Sequence, residues 1–522
     1  MTNKLQANGT HMRRSRPHRK QEGRVSGGIQ QAPSRQMRNP YAPMQLISED
    51  QLEDIHQSSL QLLCKTGIDF QSPKAVEVLR RSGAMVDPNG LRVRFDPDWL
   101  MQTLATTPSE FILHGRRQDR DMVIGGNAIA FAMVASTPNV SDLDRGRVMG
   151  NFDDYCNLLR LGESLNAVQV QAGYPVEPCD VSVNIRHLVA GEAAARLTTK
   201  PIGAYALGRQ RMQDAIDIAR ISRGIDHATL LKQPSTHTVV NANSPLIYDG
   251  ALLEGAMVMA ENNQPVIYTP FTLAGAMAPI TMAGALVQQN AEALAGLAFH
   301  QCVKPGAPAM YGSFTSNVDM KSGSPAFGTP EYSQATIVSG QLARKYNIPL
   351  RASNANASNA PDAQATYESQ MSLWACMMGQ VNFVIHGLGW IEGGLCTSFE
   401  KVIIDAEMIQ MLQAFMQPMD TSADALGVDA IAAVGPGSHF FASPHTLSRY
   451  QNAFYTPLLS DWSNFENWRD AGAMDATQRA NKIWKKILQE YEEPKLDAAI
   501  DAELTDFVQR RISEGGAAPG TW

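Results

Sequence analysis

Eight short apolar segments recur through the middle of this chain, and their spacing limits the folds that it can adopt. The segments are 129–134, 168–172, 202–205, 238–240, 266–268, 309–311, 348–351 and 381–385. They begin roughly 30–40 residues apart, close to the ~31 residues expected when about 250 residues form eight strand–helix units. Each is followed by a turn rich in Gly, Ser, Asn or Pro and then by a stretch rich in Ala, Leu and Met, which indicates strands that alternate with helices.

The stretches after the turns predict helices at 187–197, 212–222, 251–261, 283–302, 330–346 and 362–378. Strands that alternate with helices pair in parallel through right-handed crossovers, and eight such units close into a barrel. An open doubly wound sheet is the main alternative, but no GxGxxG motif follows the first strand to support a dinucleotide site. We therefore predict an α/β protein built on a (β/α)8 TIM barrel that spans residues 127–417.

Two segments precede the predicted barrel. Residues 1–45 are polar and basic, so they bury too little apolar area to offset the entropy of ordering. We expect a flexible arm there, one that wraps a neighbouring subunit or, alternatively, binds an acidic partner. In residues 46–126, a helix that begins at Ser48, two shorter helices after Pro73 and Pro97, and two small strands predict an α+β N-terminal cap.

The segment after the barrel, residues 418–522, predicts a C-terminal helical extension. A long helix over 402–415 closes the eighth unit, and an amphipathic helix is expected at about 476–491. The extension also carries Trp462, Trp468 and Trp484. Such a segment packs on the barrel or on a partner subunit, so we expect a homo-oligomer.

Composition excludes several classes of protein. The net charge of −7 argues against general nucleic-acid binding. Six cysteines without a CxxC pair are typical of reduced, buried thiols in the cytosol. The N-terminus has no apolar signal-peptide core, and the most apolar stretch, 272–287, is short and contains Pro279. We therefore expect a cytoplasmic protein without a membrane span.

The ends of the predicted strands carry the residues that point to function, because barrel enzymes place their chemistry there. These ends are rich in aromatic rings, hydroxyls and amides and almost free of Lys and Arg, while Glu177, Asp180 and Glu392 supply negative charge. Such a pocket suits a cation with little hydrogen-bonding capacity, such as a tetraalkylammonium. Each desolvated ring face attracts it by roughly 0.5–2 kcal/mol. The alternative is that these rings only pack the barrel rim.

Most machinery for other chemistries is missing from the strand ends. They show no Lys for a Schiff base, no phosphate-binding Gly-rich loop with Lys, and no GxSxG motif. His386 can be drawn with Glu392 and Cys396 as a metal site, although no His/Cys spacing enforces one. Glycines at 387, 389, 393 and 394 surround Glu392, which favours backbone held close to a ligand. Asp362 is expected to cap the helix that follows it.

Three stretches resemble the trimethylamine methyltransferase family. The run His386-Gly-Leu-Gly-Trp-Ile-Glu-Gly-Gly-Leu395, followed by Ser-Phe-Glu-Lys401 and Asp405, resembles the family's C-terminal signature. The segment Asp362-Ala-Gln-Ala-Thr-Tyr-Glu368 is similar to the family's Asp-x-Gln-Ala-Gly-Tyr-Glu, with Thr in place of Gly. The loop 173–180 is similar as well. The resemblance extends from about residue 45 to the end of the chain.

The resemblance implies a TIM barrel that moves a methyl group from an amine to the cobalt of a corrinoid carried by a separate small protein, with no metal bound by the barrel itself. Archaeal trimethylamine members use an in-frame pyrrolysine near the loop before the Asp-x-Gln motif. Residues 353–360 are ordinary here and include no pyrrolysine. Members of this kind resemble quaternary-amine demethylases that act on betaines.

The expected site follows from this chemistry. A quaternary nitrogen leaves as a neutral amine, so the step needs positioning and exclusion of water rather than a proton donor. Glu177, His386 and Glu392 are the expected catalytic residues. The two carboxylates are expected to balance the charge of the amine, and His386 and Asn243 to orient its non-reacting end. The expected aromatic cage is Tyr174, Tyr205, Tyr268, Phe271, Tyr311, Phe314 and Trp390.

Two other functions remain open at this point. One is a quaternary-amine-binding protein, or an inactive paralogue, that kept the barrel and lost turnover. The other is an unrelated zinc-dependent methyltransferase that uses His386 and Cys396.

Overall fold

The computed structural model describes residues 29–88 and 90–520. The N-terminal region contains β1 (Met37–Arg38), α1 (Glu49–Lys65), β2 (Ile68–Phe70), α2 (Pro73–Ser82), β3 (Met85–Val86), β4 (Arg92–Arg94), α3 (Pro97–Leu104), β5 (Glu110–Leu113) and β6 (Met122–Gly125). The predicted start of α1 is confirmed, because the Ser48 side chain accepts the Gln51 N–H and the Gln51 side chain accepts the Ser48 N–H. The predicted helices after Pro73 and Pro97 are present as α2 and α3.

The central region alternates strands and helices. Its elements are β7 (Ala128–Met133), β8 (Asn139–Asp142), β9 (Gly146–Met149), α4 (Phe152–Ser164), α5 (Val183–Leu197), β10 (Ile202–Tyr205), α6 (Arg209–Ser222), α7 (His227–Leu230), β11 (Thr236–Ala242), β12 (Ile247–Tyr248), α8 (Gly250–Glu261), β13 (Val266–Pro270), β14 (Thr272–Ala274), α9 (Met282–Val303), β15 (Ala309–Gly312), β16 (Thr315–Val318), β17 (Pro325–Ala326), α10 (Pro330–Tyr346), β18 (Leu350–Ser353), α11 (Ala363–Gly379), β19 (Phe383–Leu388), β20 (Trp390–Ile391), β21 (Cys396–Ser398) and α12 (Phe399–Phe415).

Seven of these strands form one curled parallel sheet, in the order β7-β19-β18-β15-β13-β11-β10. The predicted strand at 168–172 is reduced to two bridges, Ala132–Val170 and Gln171–Ile202, which link β7 to β10 across the remaining gap. The parallel ladder and its helices confirm the mixed α/β class, and the curled sheet fits a barrel.

Side chains alternate between the two faces of this sheet. Inward-facing Ile267, Met310 and Phe383 form one cluster with Leu113 and Ile124 of the β5–β6 hairpin, which closes the N-terminal end of the curled sheet. Outward-facing side chains pack against the surrounding helices in a much larger cluster. The C-terminal ends of the strands are left open for the connecting loops.

Part of the predicted flexible arm lies against the sheet. Residues 37–38 form β1, which pairs antiparallel with β7. The Gln31 side chain donates to Ser164 O, and the Asn39 side chain donates to Met377 O. Residues 29–45 thus differ from the expected arm, because their polar side chains satisfy backbone groups at the closed end. The basic residues of 1–28 lie outside the described part of the chain.

The C-terminal extension contains α13 (Ala423–Leu426), α14 (Val428–Val434), α15 (Pro444–Arg449), α16 (Phe465–Asp470), α17 (Ala476–Gln489) and α18 (Ala498–Ser513). The predicted amphipathic helix is α17, whose Trp484 ring lies 4.7 Å from that of Phe399 and donates to Glu400. Leu504 and Val508 of α18 are buried against α5 and α6. Within the described residues, no helix is long and apolar enough to cross a membrane.

Candidate functional site

The loops after the strands build a layer of small sheets over the open end. β14, β16 and β17 pair in one sheet, and β20, β21, β8 and β9 in another. The residues other than glycine with positive φ in these loops include Ser136 (68°), Leu246 (60°), His386 (57°) and Glu392 (55°). Such backbone costs about 1–3 kcal/mol per residue and clusters at functional sites. The open end is therefore the candidate site.

An aromatic cluster lies on one side of this open end. The Phe314 ring lies 5.3 Å from Phe271, 5.3 Å from Phe327 and 6.0 Å from Trp390, between ring centroids. Phe271 is half-buried and the others are buried. The structure thus brings together three of the seven predicted cage residues, Phe271, Phe314 and Trp390, and adds Phe327, which the sequence analysis did not select.

His386 belongs to this aromatic cluster. Its ring centroid is 4.3 Å from that of Trp390 and 6.2 Å from that of Phe314. Its Nδ1 accepts the backbone N–H of Ala135 at 3.2 Å, which leaves the proton on Nε2 in the neutral ring. Burial, helped by nearby Arg351, holds the pKa of His386 well below its ordinary value of 6.5. The ring is therefore a neutral hydrogen-bond donor.

Tyr174 and Tyr205 form a second group beside the first. Their rings meet edge to face at 4.7 Å. The Tyr205 hydroxyl accepts the backbone N–H of Tyr174 and the hydroxyl of Ser136. Because Ala135 is held by His386 and Ser136 by Tyr205, the two groups flank the same loop. A cavity of about 460 Å³ between α5, α6 and β10 opens next to these tyrosines.

Both predicted carboxylates already have cationic partners. Glu392 accepts Arg147 Nε at 2.8 Å, and Glu177 accepts Arg186 Nη1 at 2.6 Å. The expectation of strand ends almost free of arginine does not hold, because the β8–β9 hairpin and the start of α5 bring these arginines in. The pairs leave neither carboxylate as a free negative charge for an ammonium group.

Three other predicted residues lie apart from the open end. Tyr268 and Tyr311 are fully buried on the outward face, where their hydroxyls contact His300, Gln289 and Asn290 of α9. Asn243 is exposed, and its backbone N–H donates to Ile247 O. The structure does not bring these three side chains to the aromatic cluster.

The inward face holds an arginine that the sequence analysis did not select. Arg351 pairs in register with Phe383 and with Gly312, and register neighbours point to the same face. The guanidinium lies 5.2 Å from the Phe314 centroid, and Nη1 donates to Ser313 O at 3.3 Å. Burial lowers the pKa of Arg351 to about 10, so it is charged near neutral pH. In the sequence, Arg351 is the last residue of the apolar segment 348–351.

Polar atoms near Arg351 are left without partners. Among the described residues, Arg351 Nε, Ser353 Oγ and Thr269 Oγ1 are buried and make no hydrogen bond. A Cβ on Gly312 would lie 2.0 Å from Thr269 Oγ1, so only glycine leaves this wall open between Thr269 and Arg351. Asn241, next to Thr269 in register, is exposed. Three buried polar atoms on the inward face thus have no partner within the described part of the protein, and such groups are rare in folded proteins.

The hypothesis of a metal site at His386, Glu392 and Cys396 can be compared with the positions of these side chains. Across the described residues, no group of three or more His, Cys, Asp or Glu side chains is arranged to hold a metal ion. His386 directs Nδ1 to the backbone N–H of Ala135, and burial raises the pKa of the Cys396 thiol to about 11.

Comparison with known proteins identifies the family. The model of the family described as trimethylamine methyltransferase (MTTB) matches residues 12–516. A glycine betaine methyltransferase from Desulfitobacterium hafniense is 36% identical over 472 residues, which cover 90% of this chain and 98% of that protein. A trimethylamine methyltransferase from the same species is 28% identical over 90% of this chain and 95% of that protein.

Among solved structures, the monomethylamine methyltransferase of Methanosarcina barkeri aligns with a TM-score of 0.49 and 10% identity, over 86% of this chain and 88% of that one. The family match spans nearly the whole chain. The chain therefore belongs to the trimethylamine methyltransferase family.

Proposed function

We propose that this methyltransferase takes a methyl group from a betaine, a quaternary amine that also carries a carboxylate, and passes it to the Co(I) of a corrinoid held by a separate protein. The observation that carries the proposal is Arg351, a buried cation with an unpartnered Nε beside an aromatic cluster. The proposal includes the (β/α)8 barrel as scaffold and a cytoplasmic location.

The substrate carboxylate is assigned to Arg351. A guanidinium binds a carboxylate through two parallel hydrogen bonds, and the hydroxyls of Thr269 and Ser353 are free to donate as well. A buried donor without a partner gains more from a ligand than one that is already satisfied. Trimethylamine has no carboxylate, so it leaves Arg351 unpaired.

The ammonium end is assigned to the aromatic cluster. Ring faces attract a desolvated quaternary ammonium, and the half-buried Phe271 is the ring most accessible from solvent. Phe314 already lies against Arg351. A betaine with its carboxylate inward would therefore place its N-methyl groups toward the open end, among Phe271, Phe327 and Trp390.

Three residues that the sequence predicted as catalytic act in this proposal by positioning. His386 offers its Nε2–H as a hydrogen-bond donor to the substrate carboxylate and holds the Ala135–Ser136 loop through Nδ1. The Glu392–Arg147 and Glu177–Arg186 pairs fix the loops on either side. Tyr205 holds the same loop through Ser136, and Tyr174 packs edge to face on Tyr205. The amine leaves neutral, so none of these residues has to donate a proton.

The open end also suits a large acceptor. Exposed apolar side chains surround it on loops after several different strands: Leu143, Met149, Val183, Ile280, Met320 and Leu395. We call this set the apolar rim. A rim of this kind is typical of a protein-docking surface. The corrinoid, when bound by its carrier protein at the rim, would supply the Co(I) nucleophile that accepts the methyl group.

The test is methyl transfer to chemically reduced cob(I)alamin, followed by the loss of Co(I) absorbance. We expect turnover with glycine betaine and little with tetramethylammonium, which has the same charged centre without a carboxylate. Equal rates with the two compounds would contradict the role of Arg351.

A result without turnover needs a second measurement. Calorimetry that shows tight betaine binding, while neither free cob(I)alamin nor a corrinoid protein is methylated, would identify an amine-binding protein instead.

A further inference from the structure

The helices between α12 and α17 are exposed, and the segment that carries them is tied to α12 at residues 458–460, which hydrogen-bond to Glu407. Its helices α13 to α16 have 4, 7, 6 and 6 residues. None of the described residues in these four helices is buried. Isolated helices shorter than about 12 residues are marginal in water. The segment therefore needs another surface to pack against.

This segment, residues 419–470, which we call the apolar arm, exposes many large side chains. Met419 is 88% exposed, Phe441 83%, Phe454 85% and Trp462 70%. Others that are exposed are Leu426, Val428, Ile431, Phe440, Leu447, Tyr450 and Phe465. Monomeric proteins rarely expose apolar patches above a few hundred Å², whereas one buried aromatic side chain covers about 150–250 Å².

A second exposed apolar surface lies on the outer face of α11. Tyr367, Met371, Trp374 and Met378 follow one another at spacings of four, three and four residues, which places them on one side of the helix. Phe415 of α12 extends this surface, since its ring lies 5.1 Å from that of Trp374. We call it the α11 stripe. Tyr367 is 60% exposed, so the arm of the same chain does not cover it.

We infer that the apolar arm of one copy packs on the α11 stripe of a second copy, and the reverse, in a two-fold dimer. Both halves of the contact occur in a single chain, which is what a two-fold interface requires. Eleven large apolar side chains are exposed on the arm, and a stable dimer buries about 800 Å² or more per partner.

A transient partner fits this surface less well than a second copy does. Permanent interfaces are more apolar than transient ones, because a transient surface returns to water after each encounter. The arm would leave a large apolar area in water whenever such a partner dissociated. The dimer contact does not involve the reaction, so the dimer and the proposed function can fail separately.

The test is sedimentation of the full-length protein at micromolar concentration, combined with hydrogen exchange of the arm. We expect a dimer, or a multiple of it, with slow exchange in residues 423–449. The pair Phe441→Glu and Phe454→Glu should give a monomer with the far-UV spectrum largely kept, because both side chains are exposed within one chain. Met85→Glu, at an exposed apolar position in the N-terminal region, is the matched control and should remain dimeric.

The single variant Met371→Glu tests the proposed pairing. It lies on the stripe, yet it should speed exchange in the arm by at least tenfold, because the two surfaces meet only between copies. Three results would overturn the inference. They are a monomeric unmodified protein, a dimer that persists both in the Phe441→Glu, Phe454→Glu double variant and in Met371→Glu, and an exchange rate of the arm that Met371→Glu leaves unchanged.

Discussion

A buried guanidinium with a free Nε lowers the stability of a protein, because it loses water without gaining a full set of partners. Arg351 is in that position. Arg351→Met keeps most of the volume and removes the charge, so we expect the free energy of unfolding to be unchanged or higher by about 1–4 kcal/mol. Betaine binding should weaken by at least about 30-fold. Thermal unfolding and calorimetry measure the two effects.

The matched control for this variant is Arg344→Met. Arg344 is half-buried and donates to Gly379 O, at the far end of α10 from the open strand ends. Arg344→Met should lower the free energy of unfolding slightly and leave betaine affinity unchanged. Loss of affinity in both variants would show that the effect is general and not specific to Arg351.

The aromatic cluster can be tested by its preference for charge. tert-Butylacetate, the carboxylate (CH3)3C–CH2–COO−, has the shape of glycine betaine with a neutral carbon in place of nitrogen. Phe271→Leu should reduce the preference for betaine over this compound by roughly 2- to 30-fold, the equivalent of about 0.5–2 kcal/mol from one ring. Competition calorimetry measures the preference. Tyr268→Phe, on the outward face, should leave it unchanged.

The pH dependence of binding follows from two shifted pKa values. Arg351 binds in its charged form and its pKa is lowered to about 10, so affinity should be constant up to pH 9 and fall as the pH rises through about 10. His386 is neutral above its strongly lowered pKa, so no change is expected between pH 8 and pH 6. Calorimetry across this range measures the affinity. A large change in affinity near pH 6.5 would contradict a neutral His386.

At the scale of elements, α12 is fastened to the strand ends by a buried ion pair. Lys401 Nζ donates to Asp405 and to Ser369, and Asp405 accepts the Gly389 N–H and the Asn354 side chain. Lys401→Met leaves Asp405 without its cation, so we expect a loss of about 3–5 kcal/mol in unfolding free energy. The double variant Lys401→Met, Asp405→Asn should lose much less unfolding free energy. Denaturant unfolding measures both, and equal losses would contradict this account.

The order of elements was predictable from the sequence because strand and helix segments differ in length and composition. The segment 202–205 coincides with β10, and 330–346 with α10. The segment 168–172 did not become a regular strand. The Gln169 side chain accepts the backbone N–H of Phe131 in β7, and the Gln171 side chain donates to Leu159 O in α4. Only two bridges form there.

The orientation of strand side chains was not predictable in the same way. Strands of a parallel sheet are buried on both faces, so their apolar runs do not show which residues point inward. Tyr268 and Phe271 are both aromatic residues at one strand end, yet only Phe271 reaches the open side. Arg351 was hidden for the same reason, since it sits inside an apolar run. The Arg147–Glu392 contact joins residues 245 positions apart, and no local pattern indicates it.

At the scale of the whole molecule, the curled sheet separates two tasks. In the proposed function, its inward face presents Arg351 and the aromatic cluster to a small molecule, while the loops above present the apolar rim to a large one. The arm and the α11 stripe lie on the outer helices. If this division holds, damage to the rim should affect transfer to a protein carrier without affecting the binding of betaine.

Leu395→Asp tests that division. Leu395 is 56% exposed in the loop after β20, so the charge costs the fold little, but it would be buried unpaired under a docked carrier. We expect transfer to a corrinoid protein to slow by about tenfold or more, equivalent to ~1.4 kcal/mol, with unchanged transfer to free cob(I)alamin. Met85→Asp, remote from the rim, should change neither rate. Equal slowing with both acceptors would mean that Leu395 shapes the substrate pocket and not a docking surface, because free cob(I)alamin has no carrier protein to lose contact with.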